Sequence, residues 1–287
     1  STATISNADE ATATITPDVP GEYAFEVVVT DQDAQSGSAT LDAVAGRVLP
    51  AIIDQDLEIP STEPLVFVPA LTQVAEGVVV TVRPGVELRG DVPDIAIELL
   101  GRLVLDGEDG DAPVSVTGLT IAFSDNGTPS LTAAFTEFTD TLLSPTFFGS
   151  GFGSDGALTV VDSIFEGGGI ENSRAAVLER NAFIDTITLE FSTNGSTLRN
   201  NLFDTDARPI LRLGSGSGVA TGNAFLVPAG ELVIDYDPFT CEPFLVGPLD
   251  ARENYWGSPT ITAVEIQAMI LDEQDDLTRC NEVAFEP

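Results

Sequence analysis

Two residue types are missing from this chain of 287: there is no histidine and no lysine, and the 11 basic residues are all arginine. Without histidine there is no Ser-His-Asp or Cys-His mechanism, no zinc site of the usual His-containing kinds and no imidazole pH switch. Any catalysis falls to carboxylates, arginine, tyrosine or a bound metal. Positive charge is scarce in general. Eleven arginines among 46 carboxylates leave a net charge of −35, and they cannot form the broad basic patch that nucleic acid or an anionic membrane requires. Neither is expected as a partner. No run of about 18 apolar residues occurs and the first residues are polar, so membrane insertion and a retained signal peptide are not expected. Two cysteines are too few for a small disulfide scaffold. Helix signals are almost absent.

What remains is ample core material cut into short pieces. Apolar residues make up 43 % of the chain, too many for a highly charged disordered polymer. Runs rich in Val, Ile, Leu, Thr and Phe are punctuated by Gly, Pro, Asn and Asp, which predicts an all-β protein. The carboxylate-rich, lysine-free surface stays hydrated and repels its copies, and it suits a salty or calcium-containing exterior.

A repeat organises most of the strands. A small polar residue followed two positions later by an aromatic recurs at Thr136/Phe138, Ser163/Phe165, Asn181/Phe183, Asn201/Phe203, Asn223/Phe225 and Asn254/Trp256. The aromatics lie 27, 18, 20, 22 and 31 residues apart, and an aliphatic residue or Ala stands three positions before each polar anchor. Further short strands, such as Ile187 to Phe191 and Pro209 to Leu213, fall between anchors. Each repeat thus reads as one coil of a solenoid, with an inward Phe column and an Asn column hydrogen-bonding from rung to rung within a bend. Both columns are expected to be structural, rather than a sugar-stacking platform or a ligand site.

Residues 50–287 resemble the pectin-lyase-like right-handed parallel β-helix proteins. The opening coils, Gly77 to Leu88, Gly101 to Gly107 and Pro113 to Leu119, carry the resemblance, as does the closing Asn254-Tyr255-Trp256-Gly257-Ser258-Pro259. It implies a β-helix of the kind found in secreted bacterial and archaeal proteins, ending in a cap over about 258–287. Thr262-Ala263-Val264-Glu265 independently reads as a capping box, and Ala263, Ile266, Met269 and Ile270 share one helical face, predicting a helix over 263–271. Residues 1–46 do not share the period. Thr12 to Thr16, Tyr23 to Thr30 and Ala39 to Val44 read as strands, and Gly21 to Asp31 resembles the penultimate strand of PKD-like immunoglobulin-type sandwiches. Only the C-terminal half of such a sandwich is present, which predicts an uncovered face, an open edge and self-association through these strands.

Chemically suggestive residues are few. Cys241 and Cys280 flank the last coil and the cap. A disulfide between them would stabilise a secreted chain by roughly 4 kcal/mol, free thiols being the alternative. Asp106, Glu108, Asp109 and Asp111 offer four carboxylates in a Gly-containing segment, which reads either as a calcium loop or as a solvated turn. β-Helix enzymes act mainly on polysaccharides, and Asp204 and Asp206 are the best candidates for a hydrolytic pair. The His-containing polygalacturonase-type motif is missing, and a polyanionic lyase substrate would be repelled. Glu179 and Arg199 share a column on adjacent repeats and are expected to pair across the surface. Sequons at Asn126 and Asn194 fall in predicted turns. The expected protein is a non-enzymatic extracellular or cell-surface structural or adhesive module, with a self-assembling filament or surface-layer subunit as its assembled form and a glycan or cell-surface partner. It needs no cofactor except optional calcium, and a carbohydrate-active enzyme is the alternative.

Overall fold

A computed structural model describes residues 3–6, 12–69, 71–90, 96–110, 112–124, 127–145, 157–172, 176–191, 195–214, 218–228, 230–236, 248–272 and 283–286. From Arg47 onward the chain is a parallel β-solenoid built from three sheets of ten strands each. The first sheet runs from Leu57–Ile59 to Val283–Ala284, the second from Arg47–Val48 to Tyr255–Trp256, and the third from Ile52–Ile53 to Ile270–Leu271. The chain visits them cyclically, so each strand pairs with strands one coil before and one coil after. The solenoid therefore begins three residues earlier than the expected residue 50, because Arg47 and Val48 already pair with Val66 and Phe67.

Period-2 alternation makes this closure work, since each strand sends alternate side chains inward. In the first sheet Val82, Leu105, Ala133, Val160, Leu178, Leu198 and Ala220 are stacked in register and buried. In the second, Val66, Leu88 and Val116 lead into Phe138, Phe165, Phe183, Phe203, Phe225 and Trp256. All six aromatics are buried, and successive ring centroids stand 4.4, 4.9, 5.0, 5.0 and 5.1 Å apart in stacked pairs. The strand spacing imposes that separation, and it falls in the range aromatic pairs favour.

Sharp bends between the first and second sheets each use one left-handed residue. Phe135, Asp162, Arg180, Asn200, Gly222 and Glu253 have φ between 46° and 69°. Only one is glycine, and that conformation is uncommon for the others, so the surrounding ladder must hold them there. Glycine is required at Gly168, where a Cβ would lie 2.0 Å from the Thr141 carbonyl oxygen.

At the C-terminal end the capping box forms as expected: Thr262 Oγ1 accepts from the Glu265 amide, and a Glu265 carboxylate oxygen accepts from the Thr262 amide at 2.8 Å. The helix, α1 (Ala263–Gln267), is shorter than the expected 263–271, and Ala263 is exposed. Ile270 and Leu271 instead pair with Ile234 and Asp235 as the last strand of the third sheet. The open backbone edge of the preceding coil satisfies their peptide groups and buries Ile270, which outweighs one more helical turn.

The N-terminal region forms two separate antiparallel pairs. Ala3–Ser6 (β1), not anticipated as a strand, pairs with Thr14–Pro17 (β2), and Gly21–Thr30 (β3) pairs with Ser36–Ala45 (β4). β3 extends beyond the expected limits at its start, where Gly21 and Glu22 pair with Ala45 and Val44, and β4 begins earlier, at Ser36, because the turn is tight. Asp31 Oδ1 accepts from the amides of Asp33 and Gln35 at 2.9 Å each, and Ala34 adopts φ 60°. At the base of β3 the Tyr23 ring is buried and stacks on Phe25. Its hydroxyl reaches back to Val19, donating to the carbonyl at 2.6 Å and accepting from the amide at 3.2 Å.

Candidate functional site

The most concentrated polar chemistry lies inside the solenoid. Asn181, Asn201, Asn223 and Asn254 follow the left-handed bend residues, and the first three are buried. Each turns its side-chain oxygen toward the previous coil. Asn201 Oδ1 accepts from the Asn181 amide at 2.9 Å and from Asn181 Nδ2 at 3.1 Å, and Asn223 does the same for Asn201 at 3.0 Å in both bonds. Asn254 serves Asn223, and Asn181 serves the Ser163 amide. The second Nδ2 proton goes to a backbone carbonyl of the same neighbouring coil, Asn201 to Leu178 and Asn223 to Leu198. Ser163 extends the chain by accepting from the Thr136 amide at 3.0 Å. These donors and acceptors are consumed internally, as expected of a buried network. The column is a structural brace.

Asp204 and Asp206 are both exposed, on either side of buried Thr205, whose hydroxyl donates to the Thr186 carbonyl. They flank one strand end instead of facing each other across a cleft. The neighbour of Asp204 in the adjacent strand is Ile184. A glycosidase pair works through the separation of its two carboxyl groups across the scissile bond, and here the two candidates stand two residues apart on one exposed strand end.

In the acidic segment Asp106 closes the strand Arg102–Asp106 and receives Arg83 at 3.1 Å, while Glu108 makes an isolated bridge to Ala112 and Asp109 lies in the turn. All three are exposed, and among the described residues no group of three or more His, Cys, Asp or Glu is gathered as a metal site. Asp111, Cys241, Cys280, Asn126 and Asn194 lie outside the described residues.

Arginine, the one cation left for chemistry, is largely engaged. Arg47, Arg83, Arg89, Arg180, Arg208, Arg212 and Arg252 all hold carboxylates. At the bends the hydrogen bond from Arg180 keeps the Asp162 carboxyl below its ordinary range, and Arg252 does the same to Asp250. Glu179 and Arg199 are register partners as expected, yet Glu179 accepts from Arg180 at 3.4 Å, and no ion pair to Arg199 is found among the described residues. The long-range pairing loses to a side chain that the left-handed bend already aims outward.

One open groove, about 1030 Å³, lies where the β3–β4 base meets the first coils. Arg47 and Arg89 line it, but Glu63 and Glu87 neutralise them at 2.7 Å. The sequence pattern did not reveal this groove, because residues distant along the chain form it.

No protein-family model matches this chain, nor does any curated protein or solved structure.

Proposed function

We propose that this protein is a non-enzymatic structural or adhesive module of an extracellular or cell-surface assembly. Its solenoid serves as a stiff rod of the pectin-lyase-like type. The N-terminal strand pairs are read as the C-terminal half of a PKD-like sandwich. The Tyr23 hydroxyl returning to Val19 supports that reading, since a tyrosine at the start of the penultimate strand, bonded back to the preceding turn, marks immunoglobulin-type corners.

The observation that carries the structural role is the uninterrupted double ladder from Thr136 to Trp256. One column is of stacked rings and the other of linked polar residues, Thr136 and Ser163 followed by four asparagines, each coil locking the next. Such a stack resists bending and leaves its outer surface to hydration and contact. The surface is strongly acidic, in keeping with a salt-rich exterior. A glycan or other cell-surface molecule is its partner class, and calcium at Asp106 to Asp111 is the one ion the reading allows. Incubation with pectate, alginate and neutral glycans, with and without calcium, should release no oligosaccharide. Cleavage that disappears in Asp204→Asn or Asp206→Asn would make the protein a carboxylate-dependent polysaccharide enzyme instead.

A further inference from the structure

We infer that the uncharged face of the β3–β4 hairpin packs against the identical face of another copy of this chain, giving a two-fold dimer. The register places Tyr23 opposite Ala43, Phe25 opposite Leu41, Val27 opposite Ala39 and Val29 opposite Gly37, all on one side of the hairpin. The intervening pairs, Glu22 with Val44, Ala24 with Asp42, Glu26 with Thr40 and Val28 with Ser38, occupy the other. Every charged residue within the two strands is therefore on one face, and the opposite face has none. Toward the tip that uncharged face is open to water: Val27, Val29 and Leu41 are 55, 68 and 54 % exposed. A two-stranded ribbon is marginal in water unless its apolar side is covered. Among the described residues β3 and β4 pair with each other alone.

Charge selects what covers it. Residues 1–46 contain eight carboxylates and no basic residue, so a cationic partner would be drawn to the acidic side or the turn. The uncharged face calls for a flat, apolar, uncharged surface of similar length, which is what a second hairpin presents. Stacked face to face, two such ribbons form a small sandwich with sheets about 10 Å apart, and Glu22, Glu26 and Asp42 of both copies stay on the hydrated outside. The outer strip of the solenoid's second sheet, near Ile164 and Leu202, is a poorer counterpart because exposed Glu166 and Asp204 interrupt it. A patch that meets its own copy is isologous and closes at two, in contrast to the open filament that head-to-tail strand exchange would give. Docking does not depend on whether the rod cleaves glycans, so the assays above and the following one fail independently.

The test is sedimentation equilibrium of the full chain from low to molar salt. The 30.0 kDa protein should sediment at about twice its mass, with the dimer tightening as salt screens the net charge. Val27→Glu/Leu41→Glu should weaken association by on the order of 100-fold, since it brings charges into the contact. Val28→Glu, at a site 58 % exposed on the opposite face, should leave association intact. All three positions are exposed in the single chain, so the solenoid should fold in each variant, as circular dichroism would verify. A wild-type monomer at every salt concentration, equal weakening by Val28→Glu, polymers in place of dimers, or dissociation by Leu202→Glu would each overturn the proposal.

Discussion

The solenoid and the N-terminal hairpin are written in the same alphabet and meet opposite fates. Both are runs of alternating apolar and polar residues. In the solenoid every inward side chain finds three walls and a coil above and below, so Phe183 and Leu178 lose all contact with water. In β3 the same alternation ends with Val27 and Val29 exposed, because a single ribbon has no second layer. Alternation thus specifies a face, and burial depends on whether topology supplies something to cover it.

The sharpest way to probe this difference is to delete a ring from the stack. Phe183→Ala should destabilise the protein by about 3–5 kcal/mol through the cavity left between Phe165 and Phe203, measured by denaturant unfolding. The equally apolar Val29→Ala in the monomer should change stability by less than about 0.5 kcal/mol. If the two costs match, the contrast between the regions is false.

Next comes the polar column. Asn201→Ala strands the Asn181 amide and Nδ2 and the Leu178 carbonyl in a buried bend, at a cost of about 2–4 kcal/mol. Asn201→Asp, which turns a buried carboxylate oxygen toward the Leu178 carbonyl and Asn223 Oδ1 in place of the Nδ2 donor, should cost at least as much at neutral pH.

A smaller effect is expected in the hairpin from Tyr23→Phe, which keeps the ring and removes the hydroxyl bonded to Val19. About 1 kcal/mol of local stability should be lost, read as faster amide exchange in β3 while the solenoid amides remain protected.

The weakest effect concerns pH. Asp162 and Asp250 titrate below their ordinary value because Arg180 and Arg252 bond to their charged forms. Their stabilisation is therefore present above the unfolded carboxylate range and is lost as pH falls through the depressed values. Arg180→Gln should lower stability slightly at neutral pH and not at all at strongly acidic pH, as a pH series of unfolding midpoints would show. Salt should diminish the neutral-pH difference.

The repeat was legible because a solenoid stacks like on like, so a column in space becomes a period along the chain. Phe138 to Trp256 and Asn181 to Asn254 align along the sequence for the same reason. The left-handed bend residues were not legible: Phe135, Asp162, Arg180, Asn200, Gly222 and Glu253 have no chemistry in common, and their conformation is imposed by the ladder after them. The end of α1 at Gln267 is set by tertiary structure in a similar way. The apolar spacing of Ile266, Met269 and Ile270 suits a helix, but the spacing could not register the open edge at Ile234 that draws Ile270 into a strand. Asp204 and Asp206 were legible as a pair of carboxylates, though not as two exposed residues flanking a buried threonine.

Composition and periodicity alone established an all-β chain, the solenoid with its ring and asparagine columns, the acidic surface and the loss of every histidine mechanism. These follow from residue type and from spacing along one chain. Tertiary structure decided which arginine holds which carboxylate, where the last helix gives way to a strand, and that one face of the β3–β4 ribbon lies bare. Each of those outcomes depends on which distant segments become neighbours and on which backbone edges and apolar faces are left over once the coils have closed.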